Sequence, residues 1–244
     1  MKSFFEAIFR GVKNFFSGKD ENSDIPQRET PVYEEDEILA DPTNLPLSFG
    51  SFGVDISHHK EVVDLKKLVN VASFIYLKAT EGRTFVSSAY TRRAKELKEI
   101  GNTPWGAYHY YRISSDPITQ AKHFLKFIDI ESGLPPVLDI EKKGNENFKA
   151  SKHTKDLLIF LKYIEEETGL TPIIYGGFYY LRDVVKTPNY PEFERYPLWL
   201  PWYQTTFERV KCPMPWKKIK IWQYAETGRV NGIQKPCDVN RVMS

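Results

Sequence analysis

The sequence predicts an α/β protein folded as an irregular TIM-like β/α barrel. From Phe52 onward, short β-branched or aromatic runs alternate with helical segments at intervals of about 30 residues, which is typical of βαβ units and a parallel sheet. Seven or eight such runs fall within about 195 residues, and this density favours a closed barrel over an open sheet. Polar side chains recur where the runs end, and parallel barrels keep their active sites at that end.

The first five predicted strands alternate regularly with helices. Each strand is a stretch of β-branched and aromatic residues between turn signals. These strands are expected over 53–57, 74–80, 105–111, 136–141 and 172–176. The helices carry apolar residues at helical spacing. They are expected over 61–70, 87–100, 151–168 and 181–185, with one more after Asp116-Pro117 whose inner side carries Ala121, Phe124, Leu125 and Ile128.

The last third of the chain is predicted to be less regular. Two further strands are expected over 197–200 and 219–224. The stretch that joins them has little helical pattern and contains Pro201, Pro213 and Pro215. We therefore expect short or missing helices in this part of the barrel, with its last strands connected by loops.

The fourth predicted strand ends in two carboxylates spaced two residues apart. Side chains alternate along a strand, so Asp139 and Glu141 share one face and lie about 7 Å apart at Cα. Repulsion between two such acids raises one pKa, so that one carboxyl stays protonated while its partner stays charged, as glycoside cleavage requires. A metal-ligand pair or a salt-bridge partner would give the same pattern, and the surrounding sequence has to decide between them.

The composition excludes some classes of function. The net charge is only +2, from 34 basic and 32 acidic residues, so no electrostatic footprint indicates nucleic acid. Aromatic residues make up 14% of the chain, and this share favours stacking surfaces of the kind that sugars use. Cys212 and Cys237 form neither a disulfide framework nor a metal-ligand spacing, and they are either free thiols or a single bridge.

Three segments are predicted along the chain. Residues 1–16 form a short basic amphipathic helix, which either docks on a membrane surface or a protein partner or packs on its own barrel. Glu6 and Arg10 interrupt any apolar core of a secretory signal there. Residues 17–48 are acidic and polar and are expected to be a flexible linker. Residues 49–244 form the catalytic barrel.

Eight short motifs occur in one order along the barrel segment. They are GVDIS, FIYLKATEG, GAYHYYR, PPVLDIE, PIIYGG, PLWL, IWQYAETGRVNGI and CDVN. Over about residues 52–242 the chain thereby resembles glycoside hydrolase family 25, the Chalaropsis-type lysozymes. The resemblance implies an irregular β/α barrel that cleaves the β-1,4 bond between N-acetylmuramic acid and N-acetylglucosamine in peptidoglycan. It implies no metal and no organic cofactor.

The resemblance also implies roles for four acids. Glu141 matches the general acid of the family and Asp139 its partner in the D-x-E motif, while Asp55 and Asp238 match the acids of the first strand and of the closing D-x-N segment. A dry, acidic neighbourhood suits Glu141 as the proton donor, with Asp139 charged. For the second step we expect attack by the substrate's own acetamido oxygen with net retention, and a water activated by Asp55 is the rival.

Further residues are candidates for substrate binding. Five aromatic residues can stack on pyranose rings, although such residues in barrels are as often plain core. They are Tyr108, Tyr175, Trp199, Tyr203 and Tyr224. The polar candidates are Lys78, Glu81, His109 and Gln223. Two stretches depart from the family pattern, namely LWLPWY at residues 198–203 and Lys235-Pro236-Cys237 before Asp238.

Three functions follow from this sequence. A muramidase acting on peptidoglycan glycan strands comes first, a related glycosidase acting on chitin-like glycans second, and a catalytically silent glycan-binding module third. We expect a monomer that acts at the cell wall, in the periplasm or outside the cell. The export route stays open because residues 1–16 are not a clear signal peptide.

Overall fold

A computed structural model describes residues 45–58, 64–203 and 206–244 of the protein. The predicted helix over residues 1–16 lies outside the described residues, as does the predicted linker as far as residue 44. The division into three segments therefore stays a prediction. Among the described residues, no helix is both long enough and apolar enough to cross a bilayer.

Nine strands form one sheet, and eight of them close into a barrel. The strands are β1 Phe52–Ile56, β2 Phe74–Glu81, β3 Phe85–Val86, β4 Trp105–Tyr110, β5 Val137–Asp139, β6 Ile173–Tyr175, β7 Leu198–Pro201, β8 Ile221–Gly228 and β9 Cys237–Val242. The order around the barrel is β1-β2-β4-β5-β6-β7-β8-β9, and β9 returns to pair with β1. The short strand β3 pairs only with β2. The predicted irregular β/α barrel is confirmed.

The closing strand corrects the expectation of a purely parallel sheet. Strands β1, β2 and β4 to β8 pair in parallel, but β9 runs antiparallel to both of its neighbours. Only residues 229–236 separate β8 from β9. A parallel return needs a crossover of a dozen or more residues, so a connection of this length imposes the antiparallel direction. Neither β9 nor β3 was predicted as a strand.

Helices cover the first part of the barrel and become irregular afterwards. The α-helices are α1 Leu65–Leu68, α2 Tyr90–Ile100, α3 Pro117–Phe127 and α4 Ala150–Thr168. A π-helical segment at Tyr180–Val185 and three short 3-10 turns, Thr187–Asn189, Pro191–Arg195 and Phe207–Arg209, replace longer helices in the last third. This part of the prediction is confirmed.

Two helix starts have a clear local cause. The side chain of Asp64 accepts a hydrogen bond from the Lys67 amide and begins α1, which is shorter than the predicted 61–70. Asp116 does the same for the Thr119 amide at the start of α3, where Pro117 occupies the first turn. Both are N-caps, which satisfy amides that have no partner within the helix.

The core has an inner and an outer layer. Inside the barrel, large side chains from successive strands pack on one another, among them Phe74, Tyr76, Trp199 and Ile221. The alternate residues of the same strands face outward and pack under the helices, for example Ile75 and Leu77 of β2. Inner and outer residues alternate because successive side chains of a strand point to opposite faces.

Two glycines make room for the aromatic side chains of the inner layer. Gly53 and Gly106 are the register partners of Phe74 and Tyr76 on neighbouring strands. A Cβ atom on Gly53 would lie 2.3 Å from the Phe74 ring, and one on Gly106 would lie 2.5 Å from the Tyr76 ring. Large aromatic side chains therefore fill the interior of the barrel. At the carboxyl ends of the strands, the side chains that point inward are polar instead.

Candidate active site

A cavity of about 210 Å³ opens at the carboxyl ends of the barrel strands. Acids reach it from four parts of the barrel: Asp55 from β1, Asp139 and Glu141 from the end of β5, Glu226 from β8 and Asp238 from β9. The remaining lining residues are Tyr108, Val137, Tyr175, Trp199, Tyr203 and Gln223. Five acids in one cavity of this size will interact strongly with one another.

Asp55 is held by two amide side chains. Its Oδ2 accepts hydrogen bonds from Gln223 Nε2 at 3.0 Å and from Asn240 Nδ2 at 2.8 Å. The orientation of the Asn240 amide is determined by Trp199, whose Nε1–H can only donate and bonds Asn240 Oδ1 at 2.9 Å. Asn240 must therefore turn its NH₂ group toward the carboxylate.

Two tyrosines orient the second amide. Tyr175 and Tyr203 each place a hydroxyl 3.0 Å from Gln223 Oε1 and donate to it, so the NH₂ group of Gln223 points to Asp55. Three aromatic side chains of the cavity wall thus take part in one hydrogen-bond network that ends on a single carboxylate. Such a network holds Asp55 in one rotamer.

Asp55 lies directly opposite a second acid. Asp55 and Asp238 are register partners on the antiparallel pair β1–β9, where side chains on the same face approach closely. Burial, followed by the charge of Asp238, raises the pKa of Asp55 to about 7, against the hydrogen bonds from Asn240 and Gln223. Near neutral pH this carboxyl therefore exists in both protonation states.

Asp139 and Glu141 form the second acid pair. Each of the two carboxyl groups shifts the pKa of the other. Burial, followed by the charge of Glu141, raises the pKa of Asp139 well above its usual value, while burial also raises the pKa of Glu141 against the hydrogen bond from Asp139 and the charge of Lys78. Asp139 is only 5% exposed, and among the described residues its Oδ1 has no hydrogen-bond partner.

The loop after β5 positions Glu141. Asn145 is fully buried, and its side-chain NH₂ donates to the carbonyls of Tyr111 and Glu141 at 2.8 and 2.9 Å. Its Oδ1 accepts from the Ile113 amide at 2.9 Å. One side chain thereby ties the backbone of Glu141 to the segment that follows β4. The Tyr110 hydroxyl adds a bond to the Lys143 carbonyl at 2.8 Å.

A second cavity of about 420 Å³ adjoins the first and shares Tyr108, Asp139 and Glu141 with it. Glu81 binds Lys78 Nζ at 2.6 Å and Arg112 Nε at 2.8 Å there. Against the cost of burial, these hydrogen bonds hold the pKa of Glu81 below its usual value. The wall on this side of Glu141 is therefore a charged cluster, in contrast to the aromatic wall across the barrel.

Comparison with known proteins agrees with this arrangement. The family model described as "Glycosyl hydrolases family 25" matches residues 54–233. A relative, the uncharacterized protein YegX of Escherichia coli K12, is 32% identical over 206 residues. The aligned region covers 80% of this chain and 71% of YegX. The chain belongs to glycoside hydrolase family 25.

Solved structures of similar fold support the family assignment. The bacterial lysozyme of Streptomyces coelicolor superposes with a TM-score of 0.73 at 24% identity, covering 80% of this chain and 93% of that one. A muramidase of Acremonium alcalophilum superposes with a TM-score of 0.70 at 27% identity, covering 80% and 94%. The barrel of this family 25 protein is therefore the irregular TIM-like barrel of those proteins.

Most of the predicted site residues meet at the first cavity. The four acids line it together with Tyr108, Tyr175, Trp199, Tyr203 and Gln223. Lys78 and Glu81 line the adjoining cavity instead. Their catalytic and substrate-binding roles in this family 25 protein are proposals, which are argued below.

His109 and Tyr224 are not brought to either cavity. His109 is fully buried on the outer face of β4, where its ring packs against Phe124 and Phe160 and its Nδ1 lies 2.8 Å from Thr80 Oγ1. Burial lowers the pKa of His109 to about 3. His109 directly follows the cavity residue Tyr108 on β4, and neighbouring side chains on a strand point to opposite faces. Tyr224 lies where the pairing of β8 is irregular, and its ring packs against Trp222 of the outer core.

Several residues of the site were not predicted from the sequence. Asn240 belongs to the closing D-x-N segment and Arg112 to the GAYHYYR motif, so both stood inside recognised stretches without being singled out. Glu226 belongs to the IWQYAETGRVNGI motif and was likewise not singled out, whereas Asn145 lay outside any such stretch. Among the described residues, no three His, Cys, Asp or Glu side chains are grouped so as to hold a metal ion. Neither Cys212 nor Cys237 is part of a disulfide bond.

Proposed function

We propose that this family 25 protein is a peptidoglycan hydrolase that cleaves the β-1,4 bond between N-acetylmuramic acid and N-acetylglucosamine. The observation that carries the proposal is the buried carboxyl pair of Asp139 and Glu141, set in a cavity with Asp55 and Asp238. The Acremonium alcalophilum protein of similar structure is described as a muramidase, which supports the same substrate class.

Glu141 is the proton donor in this proposal. Glu141 is less buried than Asp139 and lies at the boundary of the two cavities, where a glycosidic oxygen can reach it. Burial raises the pKa values of both carboxyl groups, which favours a proton on the pair. When Asp139 accepts a hydrogen bond from the substrate, its charged form is stabilised and the proton moves to Glu141. Glu141 then protonates the leaving oxygen.

Asp139 is the charged partner of the substrate's acetamido group. Its Oδ1 is buried and has no hydrogen-bond partner among the described residues, although it lines the cavity. A buried acceptor of this kind is suited to the N–H of an N-acetyl group. The bond would orient the acetamido oxygen toward the anomeric carbon and stabilise the positive charge of the oxazolinium ion that forms.

The arrangement of the carboxyl pair favours substrate assistance. A retaining enzyme without substrate assistance needs a carboxylate that attacks the anomeric carbon. Asp139 is instead buried beside Glu141 and interacts with it, which suits Asp139 to orienting the acetamido group. The acetamido oxygen is therefore the proposed nucleophile, and the product is expected to retain its anomeric configuration.

The test replaces the proposed proton donor. We expect Glu141→Gln to keep its fold and its binding to glycan strands while losing on the order of 10²-fold or more in turnover. The assay follows the turbidity of purified cell walls, with mass spectrometry of the fragments. Glu166→Gln, which removes an exposed carboxylate of α4, is the matched control. Near-normal activity of Glu141→Gln would remove Glu141 from its role.

The products identify the substrate and the stereochemistry. Reducing-end muramic acid supports the muramidase, cleavage of chitooligosaccharides indicates a glycosidase of different specificity, and binding without products indicates a silent module. Proton NMR of the first-formed anomer distinguishes retention from inversion. Inversion would contradict substrate assistance.

A further inference from the structure

The rim of the first cavity carries an exposed cluster of aromatic rings that the proposed reaction does not use. Phe178 and Tyr179 follow β6, and Trp202 follows β7, so the cluster lies at the carboxyl ends of these strands together with the acids. Tyr179 is 62% exposed, whereas Phe178 is only 8% exposed. We call these three residues the aromatic platform.

The platform is rigid. The Phe178 ring packs edge-on against Tyr179 at 5.1 Å and against Trp202 at 5.2 Å, so the planes of the two outer rings are within 29° of each other. The backbone of Trp202 is bonded in both directions to β8, through its amide to the Gln223 carbonyl and through its carbonyl to the Trp222 indole. A preorganised surface loses little conformational entropy when it binds a ligand.

The platform is continuous with the cavity. Trp202 is followed directly by Tyr203, which is 48% exposed and also lines the cavity, where its hydroxyl bonds Gln223. The cavity itself, at about 210 Å³, is smaller than the roughly 300–1,000 Å³ that enclose a typical small ligand. It can hold only the sugars next to the scissile bond, so a polymeric substrate must continue over the rim.

The chemistry of the platform indicates which part of the substrate lies there. The C–H bonds on the face of a pyranose ring carry partial positive charge and pack on the negative face of an aromatic ring. The only charged group on these rings among the described residues is Arg182, 5.1 Å from both Phe178 and Tyr179 and paired with Asp183. Lys78, Glu81 and Arg112 line the opposite rim. Uncharged sugar rings suit the platform better than peptide or phosphate.

We propose that Tyr179 and Trp202 form a sugar-binding subsite that holds the glycan strand beyond the sugars in the cavity. This inference rests on the proposed function for the identity of the glycan, but its test measures binding and not hydrolysis. The LWLPWY stretch, which departs from the family pattern, is what supplies Trp202. The subsite would make the affinity of the protein depend on the length of the strand.

The test compares short and long glycan fragments by isothermal titration calorimetry. The probes are peptide-free strands of one and of four N-acetylglucosamine–N-acetylmuramic acid units, titrated into the full chain carrying Glu141→Gln. We expect Trp202→Ala and Tyr179→Ala to weaken binding of the long strand about tenfold, or roughly 1.4 kcal/mol, and to leave the short one unchanged. Trp202→Phe, which keeps a ring, should restore most of the affinity.

A control variant makes the outcome decisive. Phe49→Ala removes a ring that is 75% exposed and precedes β1, at the opposite end of the barrel, and should change neither affinity. If the platform variants lost affinity equally for both fragment lengths, the platform would act through the cavity. If they lost no affinity at either length, the platform would serve another partner, such as a protein. Either result overturns the subsite.

The two proposals fail separately. A chain that hydrolyses nothing but binds long strands through Trp202 would refute the hydrolase and keep the subsite. A chain that hydrolyses peptidoglycan with platform variants of unchanged affinity would refute the subsite alone.

Discussion

Removing the charge of Asp55 is expected to stabilise the protein in a manner that depends on pH. An isolated aspartate has a pKa of 3.8, and burial with the charge of Asp238 raises that of Asp55 to about 7 in the folded state. At pH values between these two pKa values, Asp55 is protonated in the folded chain but has released its proton in the unfolded chain. Stability therefore falls as pH rises through this window, and the loss is complete above about pH 7.

The size of the effect follows from the two pKa values. At about 1.4 kcal/mol for each tenfold change in proton affinity, the difference corresponds to about 4 kcal/mol as an upper limit. Asn at position 55 keeps an oxygen that can accept the bonds from Gln223 and Asn240 but carries no charge. We expect Asp55→Asn to be about 2–4 kcal/mol more stable than the wild type at pH 8 and equal to it near pH 4.

Urea denaturation followed by tryptophan fluorescence between pH 4 and pH 8 measures this difference. Asp116→Ala is a control of opposite sign, because hydrogen bonds from Thr119 hold the pKa of this N-cap carboxyl below its usual value. The Asp116→Ala variant should be less stable than the wild type at neutral pH, and this difference should shrink in acid. A stability difference for Asp55→Asn that does not change with pH, or a loss of stability at pH 8, would refute the electrostatic argument.

Two further predictions concern how the barrel supports the site. Gly106→Ala should destabilise the fold by about 1–3 kcal/mol, because the new methyl group would lie 2.5 Å from Tyr76 and 2.9 Å from Leu134 inside the barrel. Thermal denaturation checks this against Gly177→Ala, where no atom lies within 4 Å, and equal melting temperatures would contradict it. Asn145→Ala should cost about 1–3 kcal/mol of stability, because it leaves the Ile113 amide and two carbonyls without their hydrogen-bond partner. It should also reduce turnover, because the backbone of Glu141 is no longer held in place. Unchanged turnover on cell walls would show that Glu141 does not need this support.

The elements that the sequence predicts well are those in which most residues serve packing. The runs at 74–80 and 105–111 are rich in β-branched and aromatic residues, and both form strands close to the predicted bounds. The closing strand β9 carries Asp238 and Asn240 on its inner face, where a core strand would carry apolar residues. Its pattern is that of a loop because its inward positions serve the site, and local patterns fail where function replaces packing.

The same limit applies to the individual site residues. Asp139 and Glu141 could be predicted from their spacing on one strand, since alternation alone places both side chains on one face. The hydrogen bonds of Asp55 with Gln223 and Asn240 could not be predicted. Gln223 is 168 positions and Asn240 is 185 positions from Asp55 in the chain, and they meet only because the barrel closes. Alternation could have excluded His109, since it directly follows the cavity residue Tyr108 on β4. It could not have excluded Tyr224, because the pairing of β8 is irregular between Gln223 and Ala225.

The seam between β1 and β9 joins the beginning and the end of the described barrel, and it also joins Asp55 to Asp238. During synthesis on a ribosome, β1 emerges long before β9, so a nascent chain has neither Asp238 nor the amide of Asn240 beside Asp55. Contacts across such long sequence separations form late, because closing a long loop costs entropy before the contact is gained. The acidic cavity is therefore assembled only when the last strand docks, and a nascent chain that lacks β9 does not yet have it.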